Sequence, residues 1–285
     1  MGDTAKARPA SPDPAGRYGE ESAMGTGSKQ AELWAPGARD WADYNEPTCT
    51  PFYEAVLDAT GVSAGTSLLD VGCGGGFALL LAAGRGAVVS GIDATRQLAD
   101  IASERVPGAA ITVADLEDPL PFAASSFDVV TAFNSIQYAN DPIGVLVNMR
   151  KVTKPGGLVG VVVWGPPQLC ESGVMFTELG PLLPPAPPDA PAATAWSEDG
   201  ELERLASAAG LEVVAVSDVA NPLIYPDLAT AVRTQLSSGP ASAASAHSGR
   251  PAVRGALTRA FAGSRKPDGT YRQENVFRYL IARAT

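Results

Sequence analysis

The run Gly72-Cys73-Gly74-Gly75-Gly76 constrains this chain most, because of what stands on either side of it. Before it comes Ser67-Leu68-Leu69-Asp70-Val71, a short apolar run that reads as a buried strand. After it, Ala78 to Ala83 reads as a helix. A strand that passes through glycines straight into a helix forms a ligand cradle. Glycine allows the tight turn and lets a ligand approach the backbone, and the helix N-terminus offers unpaired N–H groups and a partial positive charge.

The same texture continues downstream. Ala87 to Asp93 reads as a second strand, Arg96 to Val106 as a helix, Ala110 to Asp115 as a third strand and Phe127 to Phe133 as a fourth. Asp141-Pro142 opens a helix, with Asp as N-cap and Pro in the first turn, whose buried face is Leu146, Met149 and Val152. Lys154-Pro155-Gly156-Gly157 ends it, and Leu158 to Trp164 is a fifth strand. Alternating strands and helices with short links form right-handed parallel βαβ units, with helices on both faces of one sheet. The near-continuous Val/Ile/Leu runs fit strands covered on both sides. The fold class is therefore α/β, doubly wound and Rossmann-like.

Ligands of such sheets sit at the carboxyl ends of the strands. Two residues separate the candidate ligands here. Where a dinucleotide fingerprint has its third glycine, this chain has Phe77, which argues against NAD. Asp70 stands in an apolar strand two residues before the first glycine, where a carboxylate faces a pyrophosphate badly and an ammonium or other cation well. Asp93 ends the second strand, where a ribose diol would be held, and could also cap the helix at Arg96. Asp115 ends the third strand, where an adenine amino group could be read, or serves the turn before Asp118-Pro119.

Composition narrows the partners. With 31 acidic against 21 basic residues, the formal charge is −10, which argues against a protein that works on nucleic acid. Three scattered cysteines make no disulfide framework, and one histidine leaves no zinc site; no metal is expected, with a site built only from carboxylates as the open alternative. No stretch approaches the ~18–20 apolar residues that span a membrane, and the N-terminus lacks a secretory pattern, so a cytoplasmic location is expected.

Residues 1–29, rich in Ala, Pro, Gly, Asp and Ser, read as a disordered tail. Residues 30–61 read as an N-terminal helical lid, two helices with a break near Pro47, carrying Trp34, Trp41 and Tyr44 at spacings of one helical face. Residues 62–285 form the main domain, with lid insertions at 165–196 and 219–270. The second insertion holds a helix near Asp227 to Leu236, a flexible Ser/Ala/Gly tract with His247, and a helix near Val253 to Ala262.

Leu68-Leu69-Asp70-Val71-Gly72-Cys73-Gly74-Gly75-Gly76 resembles the first motif of class I S-adenosylmethionine-dependent methyltransferases. Further segments agree in order and spacing: Gly91-Ile92-Asp93-Ala94, Ala114-Asp115-Leu116, Leu120-Pro121-Phe122 with Ser126-Phe127-Asp128-Val129-Val130, and Lys154-Pro155-Gly156-Gly157. They are similar to the small-molecule branch that includes ubiquinone and menaquinone methyltransferases. The resemblance implies a mostly parallel sheet of about seven strands with the last antiparallel, and S-adenosyl-L-methionine as cofactor. It implies that Gly72, Cys73 and Gly74 pass under the methionine moiety and that Asp70 holds its ammonium. Asp93 would take the ribose hydroxyls, with Ala94 beside the adenine. Asp115 and the Leu116 N–H would read the adenine, and Asn134 would lie near the sulfonium.

Relatives often place a histidine after the fourth strand, where this chain has Asn134-Ser135-Ile136-Gln137-Tyr138. Gln137 cannot act as a base. Tyr138, Tyr225 or Glu171 could substitute, with Tyr138 assigned a positioning role, but an in-line methyl displacement can run on positioning alone. Trp41, Tyr44 and Gln137 are expected at the substrate and lid. The apolar insertions favour an uncharged hydrophobic small molecule and secondary-metabolite tailoring, by a monomer or homodimer without nucleic acid or membrane partners. The alternative is the same fold with the cofactor retained and a non-methylating reaction, such as a cyclisation.

Overall fold

The computed structural model describes residues 26–185 and 195–285. A helix α1 (Gly27–Trp34) is followed by short helical turns through Cys49 and by α2 (Thr50–Ala59). Then strand and helix alternate: β1 (Ser67–Val71), α3 (Phe77–Gly84), β2 (Val88–Asp93), α4 (Arg96–Arg105), β3 (Ala110–Val113), β4 (Phe127–Phe133), α5 (Pro142–Val152) and β5 (Thr153–Trp164). The rest comprises α6 (Gly173–Leu179), α7 (Glu201–Ala208), β6 (Leu211–Ala220), β7 (Leu223–Tyr225), α8 (Leu228–Leu236), α9 (Gly239–Ser248), α10 (Arg250–Ala260), β8 (Tyr271–Gln273) and β9 (Val276–Ala284).

Seven strands form one sheet in the order β3-β2-β1-β4-β5-β9-β6. β1 to β5 are parallel, and β9 lies antiparallel between β5 and β6. The order reverses between β1 and β2 on one side and β4 on the other, so the cradle after β1 opens at the switch point where such sheets bind ligands. Leu69, Val71, Val130, Val159 and Val161 are buried against α5 and α7 on one face. Leu68, Val89 and Val129 pack with Leu79 of α3 and Ala102 of α4 on the other. As expected, Asp141 caps α5 by accepting the Gly144 N–H at 2.9 Å, with Pro142 in the first turn.

Above the strand ends lies a second unit with its own core. Met175 and Leu179 of α6 pack with Leu223 and Tyr225 of β7, Val232 of α8, Val253 and Leu257 of α10, and Phe261. Both expected insertions thus contribute to one cap, which the small β7–β8 sheet braces. The tract expected to be flexible is the helix α9, with Ser238 as N-cap, Pro240 in its first turn, and Ala241 and Ala244 buried. His247 sits in its last turn.

Two expectations at the N-terminus are corrected. The boundary of the tail at residue 29 is too late: α1 begins at Gly27, and Thr26 and Gly27 are tied to the core. Residues 1–25 lie outside the described residues. The break near Pro47 does not occur either, since Pro47 lies in a 3-10 turn, Glu46–Cys49, that leads directly into α2.

Candidate cofactor and acceptor site

The cradle is as tight as its glycines require. Gly72 and Gly74 have φ of +78° and +56°, a region that L side chains avoid. A Cβ on Gly72 would stand 2.5 Å from Ser135 Cβ, and one on Gly74 2.6 Å from Glu46 Oε1. The N–H groups of Gly72 and Cys73 donate to the Ile92 carbonyl of β2 at 2.9 and 2.8 Å, which pins the loop to the neighbouring strand.

Three carboxylates follow at the strand ends. Asp70 is 1% exposed and accepts from Thr131 Oγ1 at 2.8 Å. Among the described residues no cation pairs with it, and burial pushes its carboxyl up to about 7 against the Thr131 hydrogen bond. A buried carboxylate without a counter-charge is costly, and a cationic ligand would relieve it. Asp93 accepts the Gly74 N–H at 2.9 Å through Oδ2 and the Thr95 N–H at 2.8 Å through Oδ1. Burial raises its carboxyl as well. Asp115 accepts the Gly27 N–H at 2.7 Å through Oδ2 and the Glu117 N–H at 3.0 Å through Oδ1.

All three line one cavity of about 1440 Å³, counting its open mouth, together with Gly72, Cys73, Gly74, Ala94, Leu116, Asn134, Trp41 and Tyr138. Asn134 follows β4 with φ of +54°, a left-handed conformation that Asn tolerates better than most residues. The Cys73 thiol is raised well above its ordinary value by burial, which fits a small packing residue. Trp34 and Trp41 meet edge to face at 4.6 Å, and Trp34 meets Tyr138 likewise at 5.8 Å, and these rings line the same cavity as Asp115 and Gly27. Thr26 is tied in there too: its hydroxyl donates to the Tyr138 carbonyl at 2.8 Å and its N–H to Glu117 Oε2 at 2.7 Å.

Two expected residues do not line the cavity. Tyr44 is 37% exposed, and its ring lies under the Arg233 guanidinium, 4.4 Å from its centroid. The turns between Trp34 and Cys49 are 3-10, α and π in type, so spacing for one α-helical face does not hold there. Gln137 instead donates through Nε2 to Asn134 Oδ1 at 2.6 Å. Glu171, named as a stand-in base, lies outside the lining too and accepts the Glu274 N–H at 2.8 Å. Tyr225 is buried in the cap core, where its hydroxyl accepts from Gln235 Nε2 at 2.9 Å.

The sequence reading missed Glu46, which is 2% exposed and accepts the Gly75 N–H at 2.6 Å. It also missed the far half of the cavity, formed by Cys49, Phe52, Tyr53, Phe133, Trp164, Met175, Phe176, Leu179, Leu223 and Phe277. No Lys, Arg or His side chain is among the described residues lining either half. No group of three or more His, Cys, Asp or Glu residues suited to a metal ion occurs among the described residues. Nor does any of their helices have the length and apolarity to cross a membrane.

Residues 69–161 match the profile of a family described as a methyltransferase domain. A Mycobacterium tuberculosis protein named only as uncharacterised is 30% identical over 172 residues, 59% of this chain and 61% of its own length. The chain thus spans about six-tenths of that relative. The ubiquinone biosynthesis O-methyltransferase of Pseudomonas syringae pv. tomato is 38% identical over 110 residues, 36% of this chain and 46% of its own. Among solved structures, a methyltransferase-like protein from Bacillus halodurans superposes with a TM-score of 0.53 at 14% identity, covering 81% of this chain and 98% of the other. The [4+2]-cyclase SpnF superposes with a TM-score of 0.51 at 21% identity, covering 81% and 79%. The matched segment runs from β1 into β5 and carries the cradle with the carboxylates of Asp70, Asp93 and Asp115, so it is this core that is similar to a methyltransferase domain.

Proposed function

We propose that this chain transfers the sulfonium methyl of S-adenosyl-L-methionine to an uncharged, hydrophobic small molecule, as a tailoring step in secondary metabolism of the antibiotic-biosynthesis kind. One observation carries the reading: a single cavity joins an acidic half at the glycine loop to an aromatic half free of cationic side chains among the described residues. The first half suits a cationic nucleoside, and the second suits an apolar acceptor without phosphate or carboxylate groups.

When bound, the cofactor supplies an electrophilic methyl group. The residues assigned to it are Asp70 for the ammonium, Asp93 for the ribose hydroxyls, Asp115 and the Leu116 N–H for the adenine with Ala94 beside it, and Gly72, Cys73, Gly74 and Asn134 along the methionine moiety. The aromatic half aligns the acceptor and excludes water. Tyr138 contributes position rather than proton transfer, since burial raises its hydroxyl to about 12. Cys49 is likewise pushed up to about 12 by burial, and Tyr53 well above its ordinary value. These groups keep their protons at neutral pH and make poor bases. Positioning then carries the rate, and orientation alone can supply ~7–11 kcal/mol.

The test is incubation of the protein with S-adenosylmethionine and a panel of uncharged hydrophobic phenols, alcohols and amines. The expected result is S-adenosylhomocysteine together with an acceptor heavier by one CH2. An acceptor that rearranges at constant mass, with the cofactor unspent, would support the cyclisation reading instead.

A further inference from the structure

The cofactor assignments above leave one buried carboxylate of the cavity without a role. Glu46 belongs to the N-terminal lid, 29 residues before the glycine loop it touches. Its Oε1 accepts the Gly75 N–H at 2.6 Å, and its Oε2 accepts from Arg105 Nη1 at the end of α4. Arg105 also donates to the carbonyls of Gly75 at 2.6 Å and Ala42 at 2.7 Å, so lid, loop and helix share one knot of charged hydrogen bonds. Glu46, Asp70 and Asp93 all line the cavity, and Arg105 is the one cation among the described residues that hydrogen-bonds any of them.

Three carboxylates against one guanidinium leave this compartment negative once all are ionised. Burial raises each carboxyl, Glu46 and Asp70 to about 7, and at these two the neighbouring carboxylates push the same way, Asp93 on Glu46 and both Glu46 and Asp93 on Asp70. A loop that only had to grip a neutral adenosine would gain nothing from a third carboxylate, because backbone N–H groups and neutral side chains satisfy such a ligand without the desolvation cost. Methyl transfer breaks the S–CH3 bond and leaves its electron pair on sulfur, so the spent cofactor carries one positive charge fewer.

We propose that Glu46 makes the lid a charge-reading part of the cofactor site, favouring the sulfonium cofactor over its demethylated product. The inference rests on the cofactor assignment above and deepens it: the lid both covers the site and discriminates fresh from spent cofactor.

The test is isothermal titration of the wild type, Glu46→Gln, Glu46→Asp and Arg105→Gln with S-adenosylmethionine and, separately, S-adenosylhomocysteine at pH 8, with folding checked by thermal melts. Glu46→Gln should lower the preference for S-adenosylmethionine, the ratio of the two dissociation constants, by at least about fivefold. Glu46→Asp, which keeps the charge, should retain most of it. Arg105→Gln, which removes the opposing charge, should move the ratio the other way. A merely structural knot would weaken both ligands equally in every variant and leave the ratio unchanged, which would overturn the proposal. If one variant fails to fold, the other still reads the sign. A wild type that binds neither ligand would instead refute the cofactor assignment itself.

Discussion

The Gly27 N–H donates to Asp115 Oδ2 at 2.7 Å, across 88 residues of sequence. This bond turns the start of α1 into a wall of the cavity, and with Thr26 on Glu117 it closes the end of β3. Removing residues 1–29 should therefore raise the dissociation constant for S-adenosylmethionine by about tenfold, roughly one charge-assisted hydrogen bond at the lower end of its range. Calorimetry on the truncated chain checks this, with circular dichroism as the control for folding. Unchanged affinity would show that the contact is dispensable.

Asp93→Ala should weaken cofactor binding by at least about tenfold, ~1.4 kcal/mol, because hydrogen bonds to a charged acceptor exceed neutral ones. Asp93 also holds the Gly74 and Thr95 N–H groups, so the loop itself loosens in this variant. Asp93→Asn, which keeps one oxygen acceptor, should lose less. Equal affinities for wild type and both variants would remove Asp93 from the site.

Asp70 sets a pH dependence whose sign can be worked out. Its carboxyl stands at about 7 when folded against 3.8 as the ordinary value, so between those values the folded chain holds more protons than the unfolded one. Stability of the ligand-free protein therefore falls as pH rises through that window, and Glu46 adds to the fall. Asp128, lowered to about 2 by Lys154 and Ser67, acts with the opposite sign below that window. Asp70→Asn keeps an acceptor for Thr131, so it should raise the ligand-free Tm at pH 8, by about 2–4 °C for each kcal/mol relieved, and hardly at pH 4, while weakening S-adenosylmethionine binding. Melts at both pH values decide it, and a lower Tm at pH 8 would contradict the buried-charge account.

Trp164, at the end of β5, packs against Phe176 and Phe277 in the aromatic half. Trp164→Ala should raise the acceptor KM severalfold and leave the cofactor dissociation constant within about twofold, since its contacts lie beyond the cofactor residues. Steady-state kinetics beside cofactor titration would show the split. A loss confined to cofactor affinity would put the acceptor elsewhere.

The parts legible in sequence were those whose signal is local. The sequence places β4 at Phe127 to Phe133, where the structure has it, because a doubly covered strand is apolar along most of its length. The cradle and the carboxylates at 70, 93 and 115 were legible because strand, glycines and helix follow one another directly. α9 was missed because its buried positions are alanines, which sit among serines without visible periodicity. Glu46 is not legible for a different reason: its neighbours in sequence say nothing of Gly75, and only the folded chain brings them together. Tyr44 was misplaced because the turn types change beneath it.

Arg233 of α8 grips Asp40 with two hydrogen bonds, Nε to Oδ2 at 3.0 Å and Nη2 to Oδ1 at 2.7 Å, while its plane covers the Tyr44 ring. Trp34 lies so close to Gly239 that a Cβ there would stand 2.7 Å from the indole. The beginning of the chain and its late cap are thus buckled together. Under the proposed function, grafting new acceptor preferences onto this scaffold should exchange the two as a pair. A chimera that imports only one piece leaves Asp40 or Arg233 without its counterpart and a mismatched surface against Trp34, so both pieces should be inherited from the same parent.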